Sequence, residues 1–344
     1  MDIPVASLQG ETRSSVSSRK KVKLKFSNGL NSAEMLNEAL WHIADTFQFV
    51  ESASPDFLIF GPYGPPPPPG NYVRVGYFCE NIRPNLQVCD WAFGIPYEEE
   101  IGSDRYCRIE WHGIRPQDLV KDIPAILSRP TPPRFCNFVF SNAVEFRESF
   151  FKTLSRYKLV DAPGRSMNNQ LSFDLQFPDE SRWTRKRKYL SQYKFTIAFE
   201  NGSKAGYNTE KLTDAMLAGS IPIYFGNPEV DRHFNTRSFI NAHDYLPSRR
   251  HALTRLLETL SRDKYGKKNR LAMKLQPRIR KALAILKPRL EYGFDFSRLI
   301  ERIVELDRDD VKYRAMLAEP WVPGNKPQSV DHIRQQWIRI FSSR

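Results

Sequence analysis

Residues 193–226 read YKFTIAFENGSKAGYNTEKLTDAMLAGSIPIYFG, and few architectures accommodate that order of segments. Lys194–Phe199 is a short apolar run rich in β-formers, the pattern of a buried strand. Glu200–Tyr207 is polar and carries two glycines, a loop. Asn208 or Thr209 can cap a helix reaching about Ala218, with Gly219 where a C-cap glycine belongs. Leu212, Ala215 and Met216 give that helix one apolar stripe. Ser220–Phe225 is a second apolar strand, closed by Gly226. Strand, loop, helix and strand make a βαβ unit, which winds right-handed and carries its loop at the carboxyl end of the first strand.

That loop suits a phosphate-bearing ligand. The first N–H groups of a helix are unpaired and carry the positive end of its dipole. Lys211 adds a full charge in the first turn. Glu210 beside it offers a carboxylate that can accept two hydrogen bonds from vicinal ribose hydroxyls. Pyrophosphate on the helix start and ribose on the glutamate describe a nucleoside diphosphate. The plainer reading stays open, in which Glu210 complements the dipole and Lys211 is solvated.

FENGSKAGYNTEKLTDAMLAGSIPIYFG resembles the donor-binding signature of the α-1,3-fucosyltransferases, glycosyltransferase family 10. That signature is an FEN triplet, a Gly-Tyr pair, Thr-Glu-Lys, Asp-Ala, and Ile-Pro-Ile-Tyr before an aromatic and Gly. The chain departs from it at Asn208, where the family often has Val, and at Phe225, where Trp is usual. The likeness is close over Ser191–Asn227 and thinner over Tyr72–Phe93 and Phe135–Asn169.

The resemblance implies an α/β fold class of two Rossmann-like domains facing across a cleft, the GT-B architecture. It implies transfer of L-fucose from GDP-fucose, with inversion, to a hydroxyl of an oligosaccharide acceptor, O3 of GlcNAc in a lactosamine-type glycan. It assigns Arg147 and Lys211 to the diphosphate, Glu210 to the ribose, and Asn201 and Tyr207 to loop contacts around them. Glu80 stands in FCENIRPNLQVCDWAFG, a segment similar to the family's stretch holding its proposed base. It also follows the predicted strand Tyr72–Phe78, at the end where open α/β sheets place ligand-facing groups. Asp90 is an alternative carboxylate, but it abuts Trp91 inside a predicted strand and reads as structural. Glu200 is another, though it lies in the donor domain and should face the sugar. No metal motif is visible, so no essential metal is expected; Arg147, Lys211 and the helix N-terminus would take its task. The main alternative is a glycosyltransferase of the same architecture using another nucleotide sugar, because the loop reads pyrophosphate and ribose more clearly than guanine or fucose.

The remaining chain places this unit in context. The 344 residues suffice for two domains. Residues 19–127 read as an acceptor-binding α/β domain, with strands at Lys21–Phe26, Asp56–Phe60, Tyr72–Phe78 and Cys89–Phe93 and a helix around Ala33–Thr46. Pro130, Pro132 and Pro133 mark a linker at 128–134. The donor domain spans 135–318, opening with a strand at Phe135–Phe140 and a helix capped by Asn142. The tail, 319–344, carries Ile333, Trp337, Ile340 and Phe341 at helical spacing, flanked by Arg334, Arg339 and Arg344. Docking back onto the first domain is one expectation for it; peripheral attachment to an anionic membrane is the other.

The net charge of +13 raises a basic nucleic-acid-binding protein as a distant alternative. No RNA or DNA module is recognisable, so no nucleic-acid partner is expected. The basic run RWTRKRK at 182–188 reads as a solvated helix face, and residues 248–290 as basic helix. A dinucleotide oxidoreductase is excluded, because Gly202 and Gly206 lack the G-x-G-x-x-G spacing. Cys79, Cys89, Cys107 and Cys136 show neither C-x-x-C nor zinc-ligand spacing and read as reduced thiols. Met1–Ser18 is polar and read as disordered, without an apolar run of signal or membrane-spanning length. The expectation is a soluble, bacterial-type form in the cytoplasm, peripheral at most to the inner membrane face.

Overall fold

The computed structural model describes residues 3–4, 19–80, 82–110, 114–247 and 286–344, with 252–254, 256, 279, 282 and 283 between them. Nearly all of the expected disordered tail, most of the basic stretch 248–290, and Asn81 lie outside the described residues. The chain forms two compact units. One gathers the chain up to Arg115 together with Ser329–Arg344; the other holds Pro116–Ser261 and Gln276–Gln328.

The first unit is built on a sheet of β1 (Ile3–Pro4), β2 (Lys20–Ser27), β3 (Phe47–Glu51), β4 (Phe57–Phe60), β5 (Val73–Phe78), β6 (Trp91–Gly94) and β7 (Tyr106–Arg108). Their spatial order is β1-β3-β2-β4-β5-β6-β7. β1 pairs antiparallel with β3, and the other pairings are parallel. From β2 onward this is a doubly wound order, with its switch point between β2 and β4. α1 (Ser32–Glu38) is capped by the Asn31 side chain, which accepts from Glu34 N at 3.0 Å. It is shorter than the expected helix over 33–46: a 3-10 turn at Trp41–Ile43 and then β3 take the rest, burying Leu40, Ile43, Phe47 and Phe49. α2 (Glu98–Ile101) precedes β7.

In the second unit, β8 (Arg134–Asn137), β9 (Val160–Asp161), β10 (Tyr193–Phe199), β11 (Ile221–Phe225) and β12 (Ile240–Asn241) run β12-β11-β10-β8-β9, all parallel. Counted along the chain this is the order 2-1-3-4-5, with its switch point between β8 and β10. Every residue of β10 and of β11 is buried, as expected of central parallel strands covered on both faces. Its helices include α3 (Ile123–Leu127), α4 (Glu145–Leu154), α5 (Phe173–Gln176), α6 (Arg182–Leu190), α7 (Glu210–Ala218), α8 (Ser297–Arg308) and α9 (Asp310–Ala318). Phe146 and Phe150 of α4 pack against Phe199 and Phe296, and Phe146 against Phe225, binding α4 to the carboxyl ends of β10 and β11.

The division falls near residue 115 rather than at 127. Ile126 of α3 packs with Leu212, Met216 and Trp321. Buried Lys121 donates to the carbonyls of Leu317, in the last turn of α9, and of Glu319, just past its end. Residues 319–328 belong to this second unit as well, Asn325 bonding the backbone of Lys121 in both directions.

The last helix, α10 (Asp331–Phe341), lies in the first unit. Trp337 stacks on Phe93 at 4.1 Å, and Phe341 meets Phe57 edge-on at 4.9 Å. Ile333, Trp337, Ile340 and Phe341 are all buried, so the stripe that would have to enter a lipid interface is covered by the sheet. Among the described residues no helix is long and apolar enough to cross a membrane.

The run at 182–188 is not the freely solvated face expected of it. Lys186 and Arg187 each reach the fully buried Asp214 of α7 at 2.8 Å. Arg185 pairs with Asp174 and Lys188 with Glu180. Burial of Asp214 requires such partners, since an unpaired buried carboxylate is strongly destabilising.

Candidate active site

The order of the second sheet selects the place. Where neighbouring strands send their connections to opposite faces, the loops diverge and leave a crevice at the carboxyl ends. Here those are the loops after β8 and after β10. The first carries Phe138–Asn142 into α4, and the second carries Glu200–Thr209 into α7.

Glu200 directly follows β10 and is 1% exposed. Its backbone N–H continues the ladder to Phe225 O at 2.7 Å, while its carboxylate turns into the following loop. It accepts from Thr209 N at 2.8 Å, from Thr209 Oγ1 at 2.8 Å and from Lys211 Nζ at 3.1 Å. Burial pushes its pKa up, and the Lys211 ammonium and the Thr209 hydroxyl pull against that. Thr209 is the N-cap of α7, its Oγ1 also accepting from Lys211 N. One buried carboxylate therefore fixes both the start of the helix and the ammonium group in its first turn.

Lys211 gives a second hydrogen to Thr209 Oγ1 at 2.9 Å. Glu210 Oε1 lies 3.8 Å from both Lys211 Nζ and Lys186 Nζ. Burial alone would raise the Glu210 pKa, but these two ammonium groups hold it below the usual carboxylate range. Glu210 is thus an ionised acceptor beside the helix N-terminus.

Across the switch point, Arg147 of α4 is 1% exposed. Its guanidinium lies over the Phe140 ring at 4.2 Å and donates through Nη2 to Asn142 O at 3.1 Å. Asn142 serves this arginine through its carbonyl and does not cap the helix; Val144 holds the N-cap position without a side-chain bond. Burial brings the Arg147 pKa down to about 10, opposed by the charges of Glu200 and Tyr207. Two donors here are buried without a partner, Arg147 Nε and the amide nitrogen of Asn208. Buried polar groups are usually bonded, so these two donors are open to an acceptor brought by a ligand or by water.

The loop between Glu200 and Thr209 is held from several sides. Asn227 Oδ1 accepts from Gly206 N at 3.0 Å, where Gly206 takes a left-handed φ of 79°. Tyr224 OH reaches Asn208 Oδ1 at 3.1 Å, and Lys287 Nζ donates to Ser203 O at 2.9 Å. A Cβ at Gly226 would stand 2.5 Å from Glu200 Cγ and from the Tyr224 hydroxyl, so only glycine lets β11 end beside the clamp. On the other flank Gly164 abuts Phe140 O, where any Cβ would clash, and Ser166 N donates to that same carbonyl at 3.0 Å.

In the first unit, Glu80 follows β5 and is half-buried. Its Oε1 accepts from Tyr63 OH at 2.9 Å. Tyr63 sits in the loop after β4, one flank of that sheet's own switch point, and is 67% exposed. Asp90 precedes β6 at the opposite end of the sheet, where it takes the backbone N–H of Arg74 at 2.8 Å and its guanidinium at 3.2 Å. Asp90 is a structural pair, as read from the sequence.

The geometry brings Arg147, Tyr207, Glu210 and Lys211 together around Glu200. Asn201 is exposed at the rim of the loop, and Tyr207 is 6% exposed within it. Sequence reasoning missed Glu200 as a clamp, together with Thr209, Asn208 and Asn227. The FEN and Thr-Glu-Lys motifs carried the signal, but not that their residues bond each other.

Two family profiles match the chain: "Alpha-(1,3)-fucosyltransferase FucT N-terminal domain" over residues 24–114 and "Glycosyltransferase family 10 (fucosyltransferase) C-term" over 134–272. The α-(1,3)-fucosyltransferase FucT of Helicobacter pylori is 31% identical over 210 residues, covering 51% of this chain and 42% of that protein. α-(1,3)-Fucosyltransferase B of Drosophila melanogaster is 33% identical over 103 residues, covering 29% and 23%. The chain thus spans less than half the length of these relatives. In fold it is similar to a crystal structure of an α1,3-fucosyltransferase with GDP, at TM-score 0.64 and 22% identity over 98% of this chain and 94% of that one. The same holds for one with GDP-fucose, at TM-score 0.62 with the same identity and coverage. The two profiles fall one on each α/β unit, and on that ground the chain belongs to glycosyltransferase family 10, the fucosyltransferases.

Proposed function

We propose that the chain transfers L-fucose from GDP-fucose, with inversion, to a hydroxyl of an oligosaccharide, O3 of GlcNAc in a lactosamine-type glycan being the acceptor its resemblance favours. The observation carrying this reading is the pair of orphan buried donors, Arg147 Nε and Asn208 Nδ2, at a switch point that also presents Lys211 and the start of α7. A diphosphate supplies the acceptors they lack, and Glu210 is an ionised acceptor placed for ribose hydroxyls.

An inverting transfer needs the leaving diphosphate stabilised and the acceptor's proton removed on the opposite face of the sugar. Arg147, Lys211 and the N-terminal N–H groups of α7 supply fixed positive charge for the first task, so the reaction proceeds without an essential metal. Glu80 is the base, oriented by the Tyr63 hydroxyl.

Calorimetry with GDP, UDP and ADP tests the donor, with GDP binding expected and UDP or ADP preference pointing to another nucleotide sugar. Transfer assayed with and without chelator tests the metal. Glu80→Gln should keep wild-type GDP affinity and lower turnover by roughly 10²–10⁴ at saturating acceptor. Turnover within about threefold of wild type removes Glu80 as the base.

A further inference from the structure

Away from the candidate active site, on the first unit, Glu98, Cys107 and His332 bring a carboxylate oxygen, a thiol sulfur and an imidazole nitrogen within 4.8 Å of one another. They come from three elements: the first position of α2, the middle of β7 and the first turn of α10. We propose that these three residues bind a zinc-class transition-metal ion that clamps the last helix to the edge of the first sheet.

The placement of the ligands does not depend on the metal. β7 is the edge strand, and Cys107 is buried on it. Glu98 is held by Arg108 N, which donates to its Oε1 at 3.1 Å. On α10, Gln336 donates to Asp104 O at 3.1 Å, and Arg339 pairs with Asp104 at 2.8 Å and lies over the Trp91 ring at 4.8 Å. His332, Gln336 and Arg339 are four and three residues apart, the spacing of one helix face. The bonds made by the other two therefore set His332 over the same edge. Metal–ligand bonds of about 2.0–2.3 Å in tetrahedral geometry put ligand atoms roughly 3.5 Å apart, a small closure from the separations present.

Thiolate with imidazole favours zinc over magnesium or calcium, and three protein ligands leave a fourth position for water. Binding would displace the thiol proton to solvent. The cysteine spacings that argue against a zinc site do not bear on this one, because it uses a single cysteine and draws His332 from a distant segment of the chain.

The test uses the full chain, stripped with chelator and desalted. Zn²⁺ is titrated by calorimetry, and Co²⁺ is titrated as a spectroscopic probe of thiolate coordination. The variants are Cys107→Ser and His332→Gln; His332 is exposed, so its replacement leaves the core intact. Folding of both is checked by circular dichroism and by unchanged GDP binding. The expected result is one equivalent of Zn²⁺ with a melting temperature raised in the wild type, the thiolate–cobalt band lost in Cys107→Ser, and affinity at least tenfold weaker in His332→Gln. The proposal is overturned if the wild type binds no Zn²⁺ at low micromolar concentration, if the band survives Cys107→Ser, or if His332→Gln binds as the wild type does.

Discussion

Replacing Glu200 separates a structural role from a role in facing the sugar. Glu200→Ala removes the acceptor for Thr209 N, Thr209 Oγ1 and Lys211 Nζ, at 2.8, 2.8 and 3.1 Å. The ammonium then keeps only the more distant Glu210 carboxylate at 3.8 Å, and the loss of the three hydrogen bonds and the nearer charge together costs about 3–5 kcal/mol. At about 2–4 °C per kcal/mol for a unit of this size, the melting temperature should fall by roughly 10 °C. Glu200→Gln keeps one carbonyl oxygen for Thr209 but points an amide at the ammonium or at the N–H, and should cost about 1–3 kcal/mol. Both variants should also bind GDP more weakly, because Lys211 and the start of α7 are set by the same carboxylate. Differential scanning calorimetry with GDP titration reads both effects. A Glu200→Ala protein melting within about 2 °C of wild type would falsify the clamp. A variant with normal melting and GDP affinity but no transfer would instead return Glu200 to the list of reacting groups.

Two further predictions concern the scaffold. Burial lowers the Lys121 pKa to about 8 from its ordinary 10.5, so between those values the unfolded chain binds more protons than the folded one and stability rises with pH. Denaturant melts at pH 7 and pH 10 should show the wild type gaining up to about 3 kcal/mol relative to Lys121→Met; an unchanged gap refutes the burial argument. Trp337→Ala should destabilise the first unit by about 3–5 kcal/mol, and liposome flotation of the wild type should show no association through α10, whose apolar stripe is buried; wild-type melting of the variant, or flotation lost on truncation at Val330, would overturn this.

What the sequence disclosed follows from how each signal is encoded. β10, α7 and β11 were legible because every position of both strands is buried, giving continuous apolar runs, and because Thr209 and Gly219 end the helix by local chemistry. The tail helix was legible through its four-residue stripe. β3 and β7 were not: β3 alternates buried and half-buried positions instead of forming a continuous apolar run, and β7 has only three residues. The basic run misled because its partners, Asp174, Glu180 and Asp214, are supplied by tertiary contact. The unit boundary was hidden for a similar reason: prolines at 130–133 mark a bend, but Lys121 and Ile126 had already joined the second core.

A buried carboxylate at the heart of the proposed diphosphate site looks self-defeating, and the hydrogen count on Lys211 resolves it. An ammonium carries three donors. One goes to Glu200 Oε2 and one to Thr209 Oγ1, which leaves the third for an incoming oxygen. Without the carboxylate, the Lys211 side chain would lose the acceptor that holds its ammonium beside the start of α7. With it, the ammonium stays aimed. Arg147 is arranged on the same plan: the Phe140 face and the Asn142 carbonyl hold its guanidinium, and Nε remains unbonded. Each cation is immobilised by contacts that consume only part of its donor capacity. Fixed donors of this kind need no reorganisation when charge develops on a departing diphosphate, the condition under which electrostatic stabilisation is most effective. Glu200 therefore serves the proposed donor site by aiming the Lys211 ammonium, with one donor left over for an incoming oxygen.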